Sequence, residues 1–141
     1  MPARRRKAID SFAVVRSIGL TLPGVEAGIR YDGSPVLKWG GAFMAGLAQH
    51  HTAEAATLVV RMSVEERQLL LDEAPQTYYI TEYYERYPLV LVRLSQVDDD
   101  ALRDLLSVSW RMTLEKGRPN ARAHRQTRRA TRPAPSIAGR R

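Results

Sequence analysis

Cysteine is absent from this 141-residue chain, which removes disulfides, thiolate zinc sites and cysteine nucleophiles from consideration. Histidine is scarce. Two of the three, His50 and His51, are adjacent, without the His-Glu-x-x-His spacing or the further ligands that a metal centre needs. No Gly-x-Ser-x-Gly elbow, phosphate-binding loop or dinucleotide fingerprint occurs, and the serines have no evident base partner. The reading is therefore non-enzymatic, with no catalytic residues, no metal and no cofactor. Long apolar runs are also missing, since no segment approaches the roughly 18 residues of a membrane span. The opening MPARRRK is followed by AIDSFAVVRSIGL, in which Asp10, Ser11 and Arg16 interrupt what an export signal would keep apolar. With the lack of cysteine, this predicts a soluble, cytoplasmic protein with no membrane association.

Acids are missing from both ends. Residues 1–7 hold Arg4, Arg5, Arg6 and Lys7, and residues 118–141 hold eight arginines, with no Asp or Glu in either segment. These twelve charges account for the formal net charge of +7, because residues 8–117 hold the other ten basic residues against all 15 acidic ones, a net of −5. The chain thus divides into a basic arm at 1–7, an acidic domain at 8–117 and an Arg-rich tail at 118–141. Pro133 and Pro135 and the near absence of large apolar residues predict a disordered tail. Attraction of a polyanion follows the local field, so the ends are suited to nucleic acid while the domain needs a local patch.

What the domain does contain is a clear alternation of elements. Ile9, Phe12, Val15, Ile18 and Leu22 recur near helical spacing, with Asp10 or Ser11 to cap the start and Pro23-Gly24 to stop the helix. A polar loop is expected next. PVLKW at 35–39 and AFMAGL at 42–47 then flank Gly40-Gly41 as a hairpin, and Thr57–Met62 forms a third strand. Ser63 and Glu66 make a capping box ahead of a helix through Leu69, Leu70 and Leu71 toward Pro75. Thr77–Thr81 and Leu89–Leu94 read as two more strands. Asp98 caps a last helix carrying Leu102, Leu105, Leu106 and Trp110 on its apolar stripe, with Gly117 and Pro119 as its stop.

The order of these elements, with LPGVE at 22–26, SVEERQLLL at 63–71 and YPLVLVRL at 87–94, resembles the MmcQ/YjbR family over roughly Phe12 to Lys116. The resemblance implies a two-layer α+β domain, an antiparallel five-stranded sheet covered by helices in the order α-β-β-β-α-β-β-α, similar to the YjbR-like and secretion chaperone-like fold. Members of the family are commonly described as DNA-binding, through a double-winged arrangement, and the resemblance brings no catalytic residues. This chain departs from the usual pattern at two places: Ala42 follows Gly41 in the first hairpin where many relatives have Lys, and Glu85-Arg86 precede the proline strand where a basic residue and a glycine are common.

The cations that could meet phosphate are Lys38, Arg61, Arg67, Arg86, Arg93 and Arg111 in the domain and Arg122, Arg125, Arg128 and Arg129 in the tail. For Arg61 and Arg93 the competing expectation is a solvent-facing strand position with carboxylate neighbours. Tyr78 and Tyr79 must point to opposite faces of a strand, so at least one is core. Tyr83, Tyr84 and Tyr87 lie in the following connection and are free to stack on bases. Asp98, Asp99 and Asp100 are explained by the helix start without a ligand. Two partners remain open: DNA, drawn by the basic ends and any local patch, or a protein partner, including a second copy, drawn by the acidic domain. The sequence leaves the oligomeric state unknown.

Overall fold

The computed structural model describes residues 8–131, with side chains described over residues 12–115. The arm at 1–7 and the end of the tail at 132–141 lie outside the described residues. Helix α1 (Ala8–Gly19) is followed by β1 (Val25–Ile29), β2 (Pro35–Trp39), β3 (Ala42–Leu47) and β4 (Thr57–Arg61). Then come α2 (Val64–Glu73), β5 (Tyr78–Tyr79), the short α3 (Glu82–Glu85), β6 (Leu89–Arg93) and α4 (Asp99–Thr131). The strands form one antiparallel sheet in the order β1-β2-β3-β4-β6-β5.

The sheet has six strands where five were expected. The addition is β1, whose VEAGI sequence buries only Val25 on the core side and offers no period-2 alternation of large apolar residues. Its signal lies one step later. Asp32-Gly33 closes a hairpin in which the Arg30 N–H donates to Ser34 O at 2.8 Å, Asp32 Oδ1 accepts the Ser34 N–H at 3.0 Å, and Gly33 takes φ +91°. The other hairpin is as read, with Gly40 at φ +57° and Gly41 at φ +81°.

One face of the sheet is covered by α1 and α4, with α2 closing its end. Phe12, Val15 and Ile18 from α1 and Leu102, Leu105 and Leu106 from α4 bury against Leu37, Met44, Leu58, Val60, Val90 and Val92. Met44 is the extra residue of a β-bulge, since Leu37 pairs with Ala45 and Lys38 with Phe43. Ser109 of α4, fully buried, donates its hydroxyl to the Met44 carbonyl at 3.1 Å, so the helix supplies the partner for that bulge carbonyl. Trp110 Nε1 donates to Pro23 O at 2.9 Å and ties the same helix to the turn after α1.

The helix starts are chemically explicit. Ser63 Oγ accepts the Glu66 N–H at 3.1 Å, while the Glu66 carboxylate meets the Ser63 hydroxyl at 3.3 Å instead of the cap's own N–H. Asp98 Oδ1 accepts the Ala101 N–H at 2.8 Å. The end of α4 differs from expectation: the backbone continues through Gly117 and Pro119 to Thr131. The run ARAHRQTRRA at 121–130 is composed mainly of strong helix formers, and the helix passes both breakers. Disorder read from composition for 118–131 is thus replaced by helical backbone.

Ser63→Ala removes the side-chain acceptor at the start of α2 and is expected to lower stability by about 1 kcal/mol, measured as a lower denaturation midpoint with unchanged slope.

Candidate nucleic-acid interface

The opposite, outer face of the sheet is left open by the long helices. Side-chain alternation places Lys38 on β2, Phe43 on β3, Val59 and Arg61 on β4, and Leu89, Leu91 and Arg93 on β6 here. Among the described residues, α3 with its flanks and the β3–β4 loop cover part of it: Tyr84, 8% exposed, packs on Val59 and Leu91 in a second, smaller core joined by Ala48 and Ala53. Between this aromatic wall and the β1–β2 hairpin runs a groove of about 520 Å³, floored by Phe43, Val59 and Leu89.

The aromatic wall is built from four rings. Tyr83 stacks on His50 with centroids 3.5 Å apart and planes within 7°. Tyr84 meets Tyr83 edge-on at 5.0 Å, and Tyr87 lies 6.1 Å from Tyr83. The Tyr84 hydroxyl accepts the His50 N–H at 3.1 Å, fixing the loop to the wall. Partial desolvation, and then the charge of His51, hold the His50 imidazole below the ordinary histidine value. Of the three tyrosines expected to be free, Tyr83 and Tyr87 are exposed, whereas Tyr84 is core and is corrected: its position in a short helix aims it at the sheet.

Across the groove stands Arg30, which sequence reading missed because the hairpin around it reads as a polar loop. Its Nη1 donates to Leu47 O at 2.8 Å and Ser34 Oγ at 3.1 Å, and its guanidinium carbon lies 5.4 Å from the Phe43 ring centre. Burial lowers its pKa, an effect opposed by Asp32 and Tyr84. Gly46 makes the seat possible, because a Cβ there would come within 2.6 Å of Arg30 Nη2.

The expected cations divide sharply. Lys38 is exposed and paired in register with Phe43; Arg61 Nη1 donates to the Phe43 carbonyl at 3.3 Å; Arg86 lies 5.8 Å from the Tyr83 ring centre. Of these cations and Arg30, only Arg30 lines the groove itself; the other three each neighbour a lining residue, Phe43 or Tyr83. Arg93 is on the same face but engaged elsewhere: Nε and Nη2 grip Glu54 at 2.9 and 2.8 Å, Nη1 donates to Pro75 O and Gln76 O, and the guanidinium covers Tyr79 at 4.3 Å. Its carboxylate neighbour was anticipated; Arg61 has a carbonyl instead. Tyr78 and Tyr79 face opposite ways as read, Tyr78 in the main core and Tyr79 bonded to Thr57 Oγ1 at 2.7 Å.

Arg67 does not belong to the surface. It is 6% exposed and donates to three carbonyls, Tyr87 O at 3.0 Å, Leu89 O at 3.1 Å and Glu85 O at 3.3 Å. Its charge is used to satisfy backbone at the exit of α3, a constraint no local pattern in α2 announces. Arg111 is exposed on α4, which packs on the other face of the sheet. The side chains of Arg122, Arg125, Arg128 and Arg129 lie outside those described. Among the described residues no group of acids and histidines is arranged to hold a metal, and no helix is long and apolar enough to cross a membrane.

The family model named YjbR matches residues 20–112. Among solved structures, a Deinococcus radiodurans protein with a DUF419 domain is similar at a TM-score of 0.60 and 21% identity, covering 83% of this chain and 85% of that one. At that identity the likeness shows the fold. No curated protein is significantly similar.

Two substitutions test this local architecture. Arg67→Met leaves three carbonyls without their shared donor and should lower stability by about 3 kcal/mol in chemical denaturation. The Arg93 guanidinium, chiefly by hydrogen bonding, holds Glu54 below the ordinary glutamate value. The stabilisation is therefore complete above that ordinary range and is lost as pH falls through the lowered value. Glu54→Gln should flatten the stability loss measured below about pH 4, by a small amount because the pair is partly exposed.

Proposed function

The chain belongs to the YjbR family, and on that premise we propose that it is a non-enzymatic nucleic-acid-binding domain, with DNA as partner, whose contact surface is the open outer face of the sheet. The observation that carries this reading is a groove lined by Arg30, Tyr83 and Tyr87, with Lys38 and Arg61 next to its Phe43 and Arg86 next to its Tyr83. Cations position a phosphate backbone, and aromatic faces accept bases of any sequence. Of the acids on this face, Glu54 is paired with Arg93 and Glu26 stands opposite Lys38 in the strand register, while Asp32, bonded to Ser34 and Gln49, keeps its charge at the groove. The twelve basic residues of the two ends add attraction that is independent of sequence and offsets the −5 of residues 8–117.

A second reading has its own observation. Between α2 and α4 lies a groove of about 370 Å³, floored by Met62, Leu70, Leu105 and Val108 and rimmed by Glu66, Glu73 and Asp104. That chemistry repels a polyanion and suits a basic segment of a protein partner.

Titrating labelled DNA with the full-length chain at several salt concentrations separates the readings. Binding should weaken steeply with salt. Lys38→Ala or Arg61→Ala should each make the log–log slope shallower, by about 0.9 for every duplex phosphate no longer neutralised, or about 0.7 on a single strand. Undetectable binding at low salt would reject the nucleic-acid reading and leave the acidic groove as the functional surface.

A further inference from the structure

Arg30 uses one corner of its guanidinium for hydrogen bonds, while its Nη2 side sits at Gly46 and its plane lies by Phe43. Both described hydrogen bonds come from Nη1, and no carboxylate bonds this side chain among the described residues. The nearest acid, Asp32, accepts from the Ser34 N–H at 3.0 Å, the Ser34 hydroxyl at 2.8 Å and the Gln49 amide. Among the described residues, the Nε and Nη2 edge of Arg30 therefore has no protein acceptor. Arg93 shows what that edge does when an anion is present: the same two nitrogens hold both oxygens of Glu54. A partly buried guanidinium with its bidentate edge unfilled offers a fork that matches phosphate, beside the charge of Asp32 in the same groove.

The remainder of the groove matches the other half of a nucleotide. Its floor of Phe43, Val59 and Leu89 is apolar, and its wall presents Tyr83 and Tyr87, 37% and 41% exposed, in an arrangement already fixed by the His50 stack and by buried Tyr84. The volume of about 520 Å³ lies within the range of sites that enclose small organic ligands. Gly46 keeps the Arg30 seat open, because any side chain there would meet the guanidinium. Anion edge, apolar floor and exposed rings line one groove.

Resting on the nucleic-acid reading above, we propose that this groove receives one unpaired nucleotide of a single strand, its base against Tyr83 and Tyr87 and its phosphate on the Nε and Nη2 edge of Arg30. A base within a duplex is stacked on both faces and cannot lie against these rings, so the groove selects single-stranded over double-stranded nucleic acid. Lys38, Arg61 and Arg86 flank it as backbone contacts that both forms can use.

The test titrates the full-length chain with a labelled oligothymidylate, a duplex of the same length, and thymidine monophosphate, at one salt concentration. The single strand should bind about tenfold more tightly than the duplex, the weight of one stacked base. Arg30→Gln and Tyr83→Ala should each erase that preference, whereas Lys38→Ala should weaken both forms alike. Because Arg30 also braces its hairpin, thermal melts accompany each variant. Gly46→Ala, which leaves the charge intact and displaces the guanidinium, supplies an independent probe of the same edge. Equal binding of single strand and duplex, or a preference that survives in Arg30→Gln and Tyr83→Ala proteins that melt like the parent, would overturn the groove and leave the nucleic-acid reading standing. No binding of either form would overturn both. Thymidine monophosphate binding as tightly as the oligonucleotide would overturn the strand as the ligand's source.

Discussion

The Arg67 clasp fixes the turn that shapes the outer face of the sheet. From inside α2 its guanidinium reaches the carbonyls of Glu85, Tyr87 and Leu89, which are the end of α3, the turn, and the start of β6. A four-residue helix cannot satisfy its own terminal carbonyls, and the chain must turn at once into the sheet. One buried cation supplies the donors for all three positions. With that turn fixed, Tyr84 is held down on Val59 and Leu91, and Tyr83 and Tyr87 stand up beside it as a wall. Without it, the Glu85, Tyr87 and Leu89 carbonyls lose this shared donor, and the connection is left with its own backbone bonds and the packing of Tyr84.

The two sides of the domain differ in chemistry: the helical side has an acid-rimmed cleft, and the outer side mixes cations with acids. On the helical side, Glu66, Glu73 and Asp104 surround an apolar cleft, and burial together with Asp98, Glu73 and Asp104 raises the pKa of the Tyr78 phenol. On the outer side, Arg30 lines the aromatic groove, with Lys38, Arg61 and Arg86 beside its lining residues, among the acids Asp32 and Glu26. A net charge averaged over residues 8–117 hides this difference, which arises because strand alternation sends neighbouring residues to different faces.

Elements with a strong local signature were legible in the sequence, and those held by distant partners were not. The hairpin at Gly40-Gly41, the Ser63 capping box and the Asp98 cap are each set by a few adjacent residues, and each is where the pattern placed it. β1 escaped because an edge strand with one buried side chain has no alternation to read. Lys38, Arg61, Arg86, Tyr83 and Tyr87, named from residue type, lie at or beside the outer face, whereas Arg67 and Tyr84 are buried and Arg30 was missed. Whether an arginine faces solvent, carbonyls or a carboxylate is set by residues roughly 20 to 40 positions away, as the Arg67 bonds to Tyr87 and Leu89 and the Arg93 bond to Glu54 illustrate. A composition rule cannot see those partners.

The edge position of β1 has its own consequence for how the molecule behaves in company. Among the described strands only β2 is bonded to β1, so its outward N–H and C=O groups are unfilled by any of them, with Ile29 75% exposed and Tyr31 fully exposed just beyond. Such an edge is a template for another extended chain. The protein counters with brevity, a glycine at Gly28 and a charge at Glu26, while the opposite edge, β5, is two residues long and too short to nucleate pairing. The features at this rim that disfavour a further strand are thus a carboxylate and a short strand with a glycine, set apart from the Arg67 clasp.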